Sequence, residues 1–551
     1  MILHEGNKMS ATNEIEQASI KSLNHLGLVS AAIDELKIVE RIDKRLPLDK
    51  SKGVELTHGQ RVKAMIINGL GYTNAPLYMT SQFYEDKDTA RLLGENVNST
   101  HLNDDALGRT LDAAWSYGTT QLFGEIAFDI AIENDLLGRA MQLDTTSLIV
   151  YGDYDLDTDD APLPTWGHSK ARRGDLKQLV LSMTVNGPAS LPLWFESLSG
   201  NSSDKTNFHD TIATCESFKK ALKAGSKEKF VWVADSALYK ENKLDNAKFH
   251  WVTRVPNTLG QVKTLLQQAD NEIQWHNLNN GYKAALYSDK KQGQVWGLYW
   301  SEAMYLKSLG TLERKIDKAK EETEKSLSQL CKKRFACEKD ALRAGKNWAK
   351  KLKYQQVEFT LKTIERYSKR GKPAKGAKPD RIEYQLSGEL TEDKVKLAAQ
   401  KERLGRFVLA TNDIKTTGKS AKSLLSAYKE QKHVERGFGF MKSDEFQLDH
   451  IYLKSPRRID ALMMIMTLTL LVYNSAQYQM REAMKAQNIM LPNQKGKEVS
   501  KVTLRWVFKM MQGVHTLYTP DKTHVTGKNE VRERIIRLFG PTACKIYDIK
   551  S

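Results

Sequence analysis

Three carboxylates stand where a fold can bring them together. Asp144 closes an apolar, strand-like run in "QLDTTS", and Asp235 closes another in "VWVADSA". Glu435 lies in the basic, helix-leaning stretch "YKEQKHVERGFGFMK", Tyr428 to Lys442. A carboxylate at the end of a buried strand is costly unless it is paired or binds a cation. Clustered hard oxygen donors are what Mg²⁺ takes, with waters and phosphates in its remaining positions. Two such ions can activate a water and stabilise the leaving oxygen in an in-line attack on a phosphodiester. Each residue also has a purely structural reading. Asp144 can cap the "TTS" turn, Asp235 can be the N-cap of the next segment, and Glu435 can be half of an i, i+3 or i, i+4 ion pair.

If Tyr428 to Lys442 forms one straight helix, Tyr428, Gln431, Glu435 and Lys442 fall within about a 60° arc. Glu435 then shares a face with an aromatic, an amide and a lysine, groups that hold a phosphate backbone without reading sequence. Gly437 and Gly439 count against an unbroken helix. Lys170, Arg172 and Arg173 form a second basic cluster and are further candidates for DNA contact. The run "DYDLDTDDAPLP" from Asp153 imitates a calcium loop. Its sixth residue is Thr158 where that loop needs glycine, and its twelfth is Pro164 where it needs glutamate, so it reads as an acidic surface turn.

The elements that must position these residues are legible in outline. Residues 1–18 read as a flexible tail and 19–138 as a helical domain. Thr57 is a candidate N-cap, and Asn103 or Asp104 caps a helix with Leu107, Leu111 and Trp115 on one face. From 139 to 256 apolar runs at residues 139–152, 176–185, 191–200, 229–239 and 249–256 predict five strands. An amphipathic helix is expected between the third and the fourth, so the class is α/β with a mixed sheet and flanking helices. Residues 257–402 interrupt that sheet with short aromatic strands and basic helices. The sheet resumes with "GRFVLATN", so 403–480 form the second part of the core. Residues 481–551 read as a helical C-terminal region.

Bulk composition agrees with a polyanionic partner. The 551 residues carry a formal net charge of +17. Residues 313–381 alone hold 22 Lys and Arg against 10 Asp and Glu, an excess that favours DNA contact over a merely solvated face. The cysteines, Cys215, Cys331, Cys337 and Cys544, have no zinc-like spacing, which fits a reduced cytoplasmic setting. No secretory leader is expected from "MILHEGNKMSATNEIEQ". The longest apolar run, Ala461 to Tyr473, is too short to cross a bilayer and reads as a buried core helix, so no membrane partner is expected.

The ordered set of motifs resembles the DDE transposases of bacterial insertion sequences, in the cut-and-paste superfamily marked by Y-x2-R-x3-E-x6-K. Tyr428, Glu435 and Lys442 match that spacing. "LDTTS", "GHSKARRGDLKQLVL", "GNSSD" and "VADSALY" resemble the superfamily's other motifs, in its order, over residues 139 to 475. Gln431 departs from the signature, which has arginine there, and so lacks that residue's phosphate clamp. The resemblance implies an RNase H-like fold: a five-stranded mixed sheet with Asp144 on its first strand, Asp235 after its fourth and Glu435 on a late helix, interrupted by a large basic insertion domain. It implies two Mg²⁺ ions, replaceable by Mn²⁺, held by Asp144, Asp235 and Glu435, with Tyr428, Gln431 and Lys442 toward DNA. The implied partners are double-stranded DNA, as terminal inverted repeats and as target, and a second copy on paired ends. The implied place is the nucleoid of a bacterial cytoplasm. Trp275, Trp296 and Trp300 are candidates for stacking on flipped bases or are plain strand aromatics. The rival functions are a repurposed DNA-binding protein without catalysis and a nuclease without strand transfer.

Overall fold

A computed structural model describes residues 19–48, 56–72, 76–151, 154, 160–167, 173–221, 230–239, 244, 247–289, 293–368, 378–444 and 453–550. Two compact units emerge. One combines Met1–Thr253 with Ser426–Ser551, and the other is Arg254–Leu425.

The first unit begins with helices whose starts are chemically specified. α1 (His58–Gly69) opens on a capping box in which Thr57 accepts from the Gln60 N–H and Gln60 reaches back to the Thr57 N–H. α2 (Asp104–Tyr117) is capped by Asn103, which accepts from the Ala106 N–H at 3.0 Å. Gly118, at φ +99°, turns the chain directly into α3 (Thr119–Glu133).

The five predicted strands follow: β1 (Ala140–Ile149), β2 (Gln178–Asn186), β3 (Leu191–Ser199), β4 (Val231–Ala234) and β5 (His250–Arg254), the last ending at the unit boundary. Their order is β3-β2-β1-β4-β5. β1, β2 and β3 pair antiparallel, while β4 lies parallel to β1 and β5 parallel to β4. α4 (Asp204–Ala221) connects β3 to β4. β2 is buried along its whole length, which fits a strand covered on both faces. The β2–β3 turn passes through Gly187 at φ +75°, where a Cβ would lie 1.9 Å from the Leu136 carbonyl, so no side chain fits. Asn186 locks the turn to the start of β1 through the Gly138 N–H and the Gly138 and Ala140 carbonyls.

In the second unit, β6 (His276–Leu278), β7 (Tyr282–Asp289), β8 (Gln294–Ser301) and β11 (Arg406–Thr411) lie in the order β11-β8-β7-β6, all antiparallel. α5 (Glu302–Cys331) is a 30-residue, highly charged helix of which only Leu312, Leu327 and Leu330 are buried; its six lysines and arginines are matched by six acids. It packs with α6 (Glu338–Ala349) on the hairpin of β9 (Gln355–Arg366) and β10 (Arg381–Glu392), around a small core of Leu330, Ala341 and Leu386. Trp296 is a buried strand aromatic whose indole N–H donates to Gln294 at 3.1 Å. Trp275 carries Arg406 over its ring, and Trp300 carries Lys283.

The chain returns through α7 (Ala421–Lys429), α8 (Lys432–Met441) and α9 (Pro456–Ala486). α9 is far longer than the apolar run that predicts it. By length and composition it could cross a membrane, yet 89% of its most apolar window is buried. It packs on α1, α2, α3 and β3, which makes it the central helix of the unit. Polar contacts fix its start: Arg458 forks onto Asp112 at 2.8 and 2.7 Å, and the Thr119 hydroxyl donates to Asp460 at 2.6 Å. Burial holds the Asp460 carboxyl above its usual range.

The C-terminal region is not simply helical. Besides helices at Leu504–Met510, Glu530–Leu538 and Gly540–Ile546, it contributes strands His515–Tyr518 and Thr523–Thr526, and the first of these pairs with Ser19–Ser22 near the N-terminus. "HTLY" and "THVT" are too short for periodicity to mark them as strands; they pair with each other, and the second partner of "HTLY" is almost 500 residues away.

Candidate active site

Asp144 does not end its strand. It sits inside β1, opposite Met183 of β2, and the chain stays paired as far as Ile149. The reason lies in the residues after it. Thr145, Thr146 and Ser147 are all buried, and these β-branched or small side chains continue the ladder instead of turning. Asp235 directly follows β4 as expected. The parallel ladder pairs Ala140 with Val231, Met141 with Trp232 and Gln142 with Val233. Extended two residues beyond its last pair, the same register would set Asp144 beside Asp235 on neighbouring chains, which lie about 4.8 Å apart in a sheet.

Backbone N–H groups hold both carboxylates: Thr145 donates to Asp144 Oδ1 and Ala237 donates to Asp235 Oδ1, each at 2.8 Å. The second is an Asx turn, which explains why the chain leaves β4 at that point. The Thr253 hydroxyl on β5 donates to the Asp235 carbonyl at 2.6 Å, closing the end of the strand.

The stretch that carries Glu435 is two helices, not one. α7 ends at Lys429 and α8 begins at Lys432. Between them the Gln431 N–H bonds to the Tyr428 carbonyl at 3.2 Å, a tight turn that breaks the regular 100° step. Tyr428 therefore stands on α7, and the common face with Glu435 is lost. Gln431 is buried, with 8% exposure, so its amide is turned inward rather than toward a phosphate. Glu435 lies exposed in the first turn of α8. Lys442 follows the last turn and reaches back to β1, where its ammonium donates to the Thr146 hydroxyl at 2.9 Å and the Ser147 carbonyl at 2.5 Å.

These contacts define which face of the sheet α8 covers. Thr146 is two residues from Asp144 on β1, so the two share a face, and Met183 is the cross-strand neighbour on that same face. A Cβ on Gly437 would meet Met183 Cε at 3.1 Å and Leu470 Cδ2 of α9 at 3.0 Å. Glycine there lets α8 lie close against β2 and α9. Lys442 and Gly437 thus bracket the Asp144 position, and α8 carries Glu435 across the face of the sheet that bears Asp144. On its other side α8 is tied by His433 Nδ1 and Ser190 Oγ, 2.6 Å apart, and Asn474 holds the Ser190 carbonyl at 2.7 Å. Burial, and then the neighbouring Arg436 charge, hold His433 below the usual imidazole value.

Among the described residues, no three His, Cys, Asp or Glu side chains stand together as a metal-binding group. The donor chemistry still suits a hard divalent cation. One aspartate lies inside β1 and the other directly follows the neighbouring β4, and a glutamate rides on the helix that covers the face bearing Asp144. Lys170 and Arg172 lie outside the described residues. Arg173 is engaged by Asp175, at 2.8 and 2.7 Å. Sequence reasoning missed Thr146, Met183, Gly437 and the Ser190–His433–Asn474 knot. For Thr146 the available signal was the unbroken polar run "TTS" in a strand otherwise apolar.

Two family models match. One, described as a transposase DDE domain, spans residues 151–474, more than half of the chain. The other, a domain of unknown function (DUF4277), spans residues 18–128. The chain belongs to the DDE transposase family. Asp235 and Glu435 lie within the matched span, and Asp144 lies just before it. No curated protein matches the chain. Among solved structures it is similar to a piggyBac transposase synaptic complex with hairpin DNA, at 8% identity and a TM-score of 0.37, over 90% of this chain and 82% of that one. Overlap that loose adds nothing to the strand order already described.

Proposed function

We propose that this transposase cuts DNA at the ends of its mobile element and joins the freed 3′-OH ends to target DNA. The observation that carries the reading is the parallel β1–β4 ladder, paired as far as Gln142 with Val233; its register extended two residues would set Asp144 beside Asp235, on the face that α8 covers through Gly437 and Lys442. The order β3-β2-β1-β4-β5, with its three antiparallel and then two parallel strands, supports an RNase H-like core.

Asp144, Asp235 and Glu435 would hold two Mg²⁺ ions, replaceable by Mn²⁺, which when bound supply Lewis acidity and a water activated at neutral pH. The chain's own part is placement. β1 and β4 fix the two aspartates on a buried sheet, and the N–H groups of Thr145 and Ala237 orient them. Lys442 anchors the end of α8 to β1, so Glu435 approaches from a helix tied at both ends. Lys442 acts here as a positioning residue, while Tyr428 lies one turn earlier, where it can face DNA. The partners are double-stranded DNA, as terminal inverted repeats and as target, with two copies on paired ends. Exposed lysines of the second unit, such as Lys315, Lys318 and Lys325, add phosphate contact, and a bacterial nucleoid is the place where these partners meet.

The test is a supercoiled donor plasmid carrying the element's ends, incubated with Mg²⁺ and target DNA. Joined products support the proposal. Cleavage without joining points to a nuclease, and a mobility shift without cleavage points to a binding protein; either outcome overturns it.

A further inference from the structure

Behind α8 lies a cleft whose arginines and lysine the catalytic reading does not use. It has a volume of about 580 Å³ and is bounded by the β2–β3 turn, α8, α9 and the segment from Lys501 to Arg505. His433, Arg436, Arg481, Lys501 and Arg505 line it, and no carboxylate does so among the described residues. Arg436, Arg481, Lys501 and Arg505 bring four cationic groups to one cavity, and gathered like charges disfavour one another. Arg481 registers it: burial first, and Arg436 as well, push its guanidinium below the usual arginine value.

The cleft is built and not incidental. Arg481 is fixed by two bonds to the Val502 carbonyl, at 3.0 and 2.9 Å, which also hold the Lys501–Arg505 segment in place. The Tyr473 hydroxyl accepts from the Arg505 N–H at 3.2 Å. Arg436 and Lys501 are exposed, their charges presented to solvent at the mouth. Gly439 leaves open space beside its Cα, so the wall of α8 is low there.

We infer that this cleft seats the phosphodiester backbone of a DNA strand, which makes α8 a two-sided helix with Glu435 toward the carboxylate pair and Arg436 toward a backbone phosphate. Arginine forks and a lysine suit phosphate oxygens, and such contacts position a strand without reading its bases. The inference rests on the proposed action on DNA. A free nucleotide offers the same phosphate chemistry, so the test separates the two sources.

The experiment measures binding of a labelled random-sequence duplex by anisotropy from 50 to 200 mM salt, in Ca²⁺, for the full chain and for a double variant, Arg436→Gln with Lys501→Gln. Each phosphate contact contributes about 0.9 to the slope of log affinity against log salt. Loss of two lowers the slope by about 1.8, so the affinity lost over that salt range shrinks roughly tenfold. Both substituted residues are exposed, and an unaltered thermal midpoint for the double variant confirms its fold. An unchanged slope in a folded double variant overturns the cleft as a DNA seat while leaving the function standing. Tight binding of dAMP that the double variant loses, with an unchanged DNA slope, overturns it in favour of a free nucleotide. Wild-type protein with no salt-dependent DNA binding overturns both readings.

Discussion

In the unit formed by Met1–Thr253 and Ser426–Ser551, Trp194, Phe195, Phe208, Trp232 and Trp251 are each 2% exposed or less, and a 31-residue helix runs through the interior. In Arg254–Leu425, the hairpin β9–β10 and the helices α5 and α6 share a core of only Leu330, Ala341 and Leu386, flanked by half-buried aromatics such as Phe359 and Trp348. The difference follows the work each region can do. Carboxylates that must meet one phosphate need a scaffold whose side chains are locked by packing. A surface that attracts a polyanion needs only charge on exposed arms, because long-range attraction tolerates loose geometry.

The contrast breaks first at the chemistry. Asp144→Asn or Asp235→Asn removes an acceptor from the rigid scaffold and should lower cleavage by at least about 10³-fold with the unfolding midpoint unchanged, since groups that act as a unit fail together. Neutralising Lys315, Lys318 and Lys325 on exposed α5 should lower DNA affinity by about tenfold or less, and that loss should fade as salt rises. Plasmid cleavage and anisotropy measure the two. Residual cleavage near wild type in either aspartate variant removes the residue from the site.

The next largest effect is on folding. Phe195 is fully buried, with its ring edge-on to Phe123 at 5.3 Å, so Phe195→Ala should cost about 4 kcal/mol of the main transition. Leu386→Ala, in the small core, should cost about 2 kcal/mol and open only the hairpin. Hydrogen exchange resolves them. If amides of β1 and β2 lose protection in Leu386→Ala, the two regions do not differ as described.

The same contrast governs what could be read in advance. The five strands of the central sheet were legible because each is a short apolar run of β-formers, most of them bounded by Gly, Pro or Asn, a signal that local burial writes into the sequence. Thr57 and Asn103 were legible as caps for the same local reason. What was not legible depends on partners far away in the chain. The break at Glu430–Gln431 has no proline or glycine to mark it. The strand at His515–Tyr518 exists because Ser19–Ser22 is there to pair with it. Lys442 resembled a phosphate ligand because its acceptors, Thr146 and Ser147, lie almost 300 residues earlier. Asp144 was anticipated at a strand end, yet it lies inside β1, two residues beyond the last pair of the β1–β4 ladder.

A pH experiment sharpens the picture of the rigid unit. His25 is wholly buried, stacked 4.5 Å from Phe508 and edge-on to Tyr72, and its Nε2 lies 2.8 Å from the Leu70 carbonyl. Burial pushes it down to about 4, against 6.5 for an exposed imidazole. The unfolded chain therefore takes up the proton first. The stability due to neutral His25 is fully present above pH 6.5 and is lost as pH falls toward 4. Between pH 7 and pH 5 the loss should be about 2 kcal/mol. Urea midpoints at the two pH values, compared with His25→Gln, isolate it. An equal pH dependence in wild type and variant would show that other groups carry the acid sensitivity.

The smallest effects distinguish the two sides of α8. Gly439 has open space where a Cβ would go, so Gly439→Ala should stabilise by about 0.5–1 kcal/mol through helix propensity alone. Gly437→Ala gains the same propensity but drives a methyl to 3.0 Å from Leu470 and 3.1 Å from Met183. Overpacking of that kind costs about 1–3 kcal/mol, so the net change should be a loss of about 1 kcal/mol. Because Met183 is the cross-strand neighbour of Asp144, the methyl also pushes α8 off the face that bears the carboxylates, and cleavage should fall with stability. Shortening the opposing side chain by Met183→Val in the Gly437→Ala background makes room for the methyl and should restore part of both. Thermal midpoints and cleavage rates measured on the same four proteins decide it. If Gly437→Ala is as stable and as active as Gly439→Ala, close packing of α8 on β2 does not position Glu435.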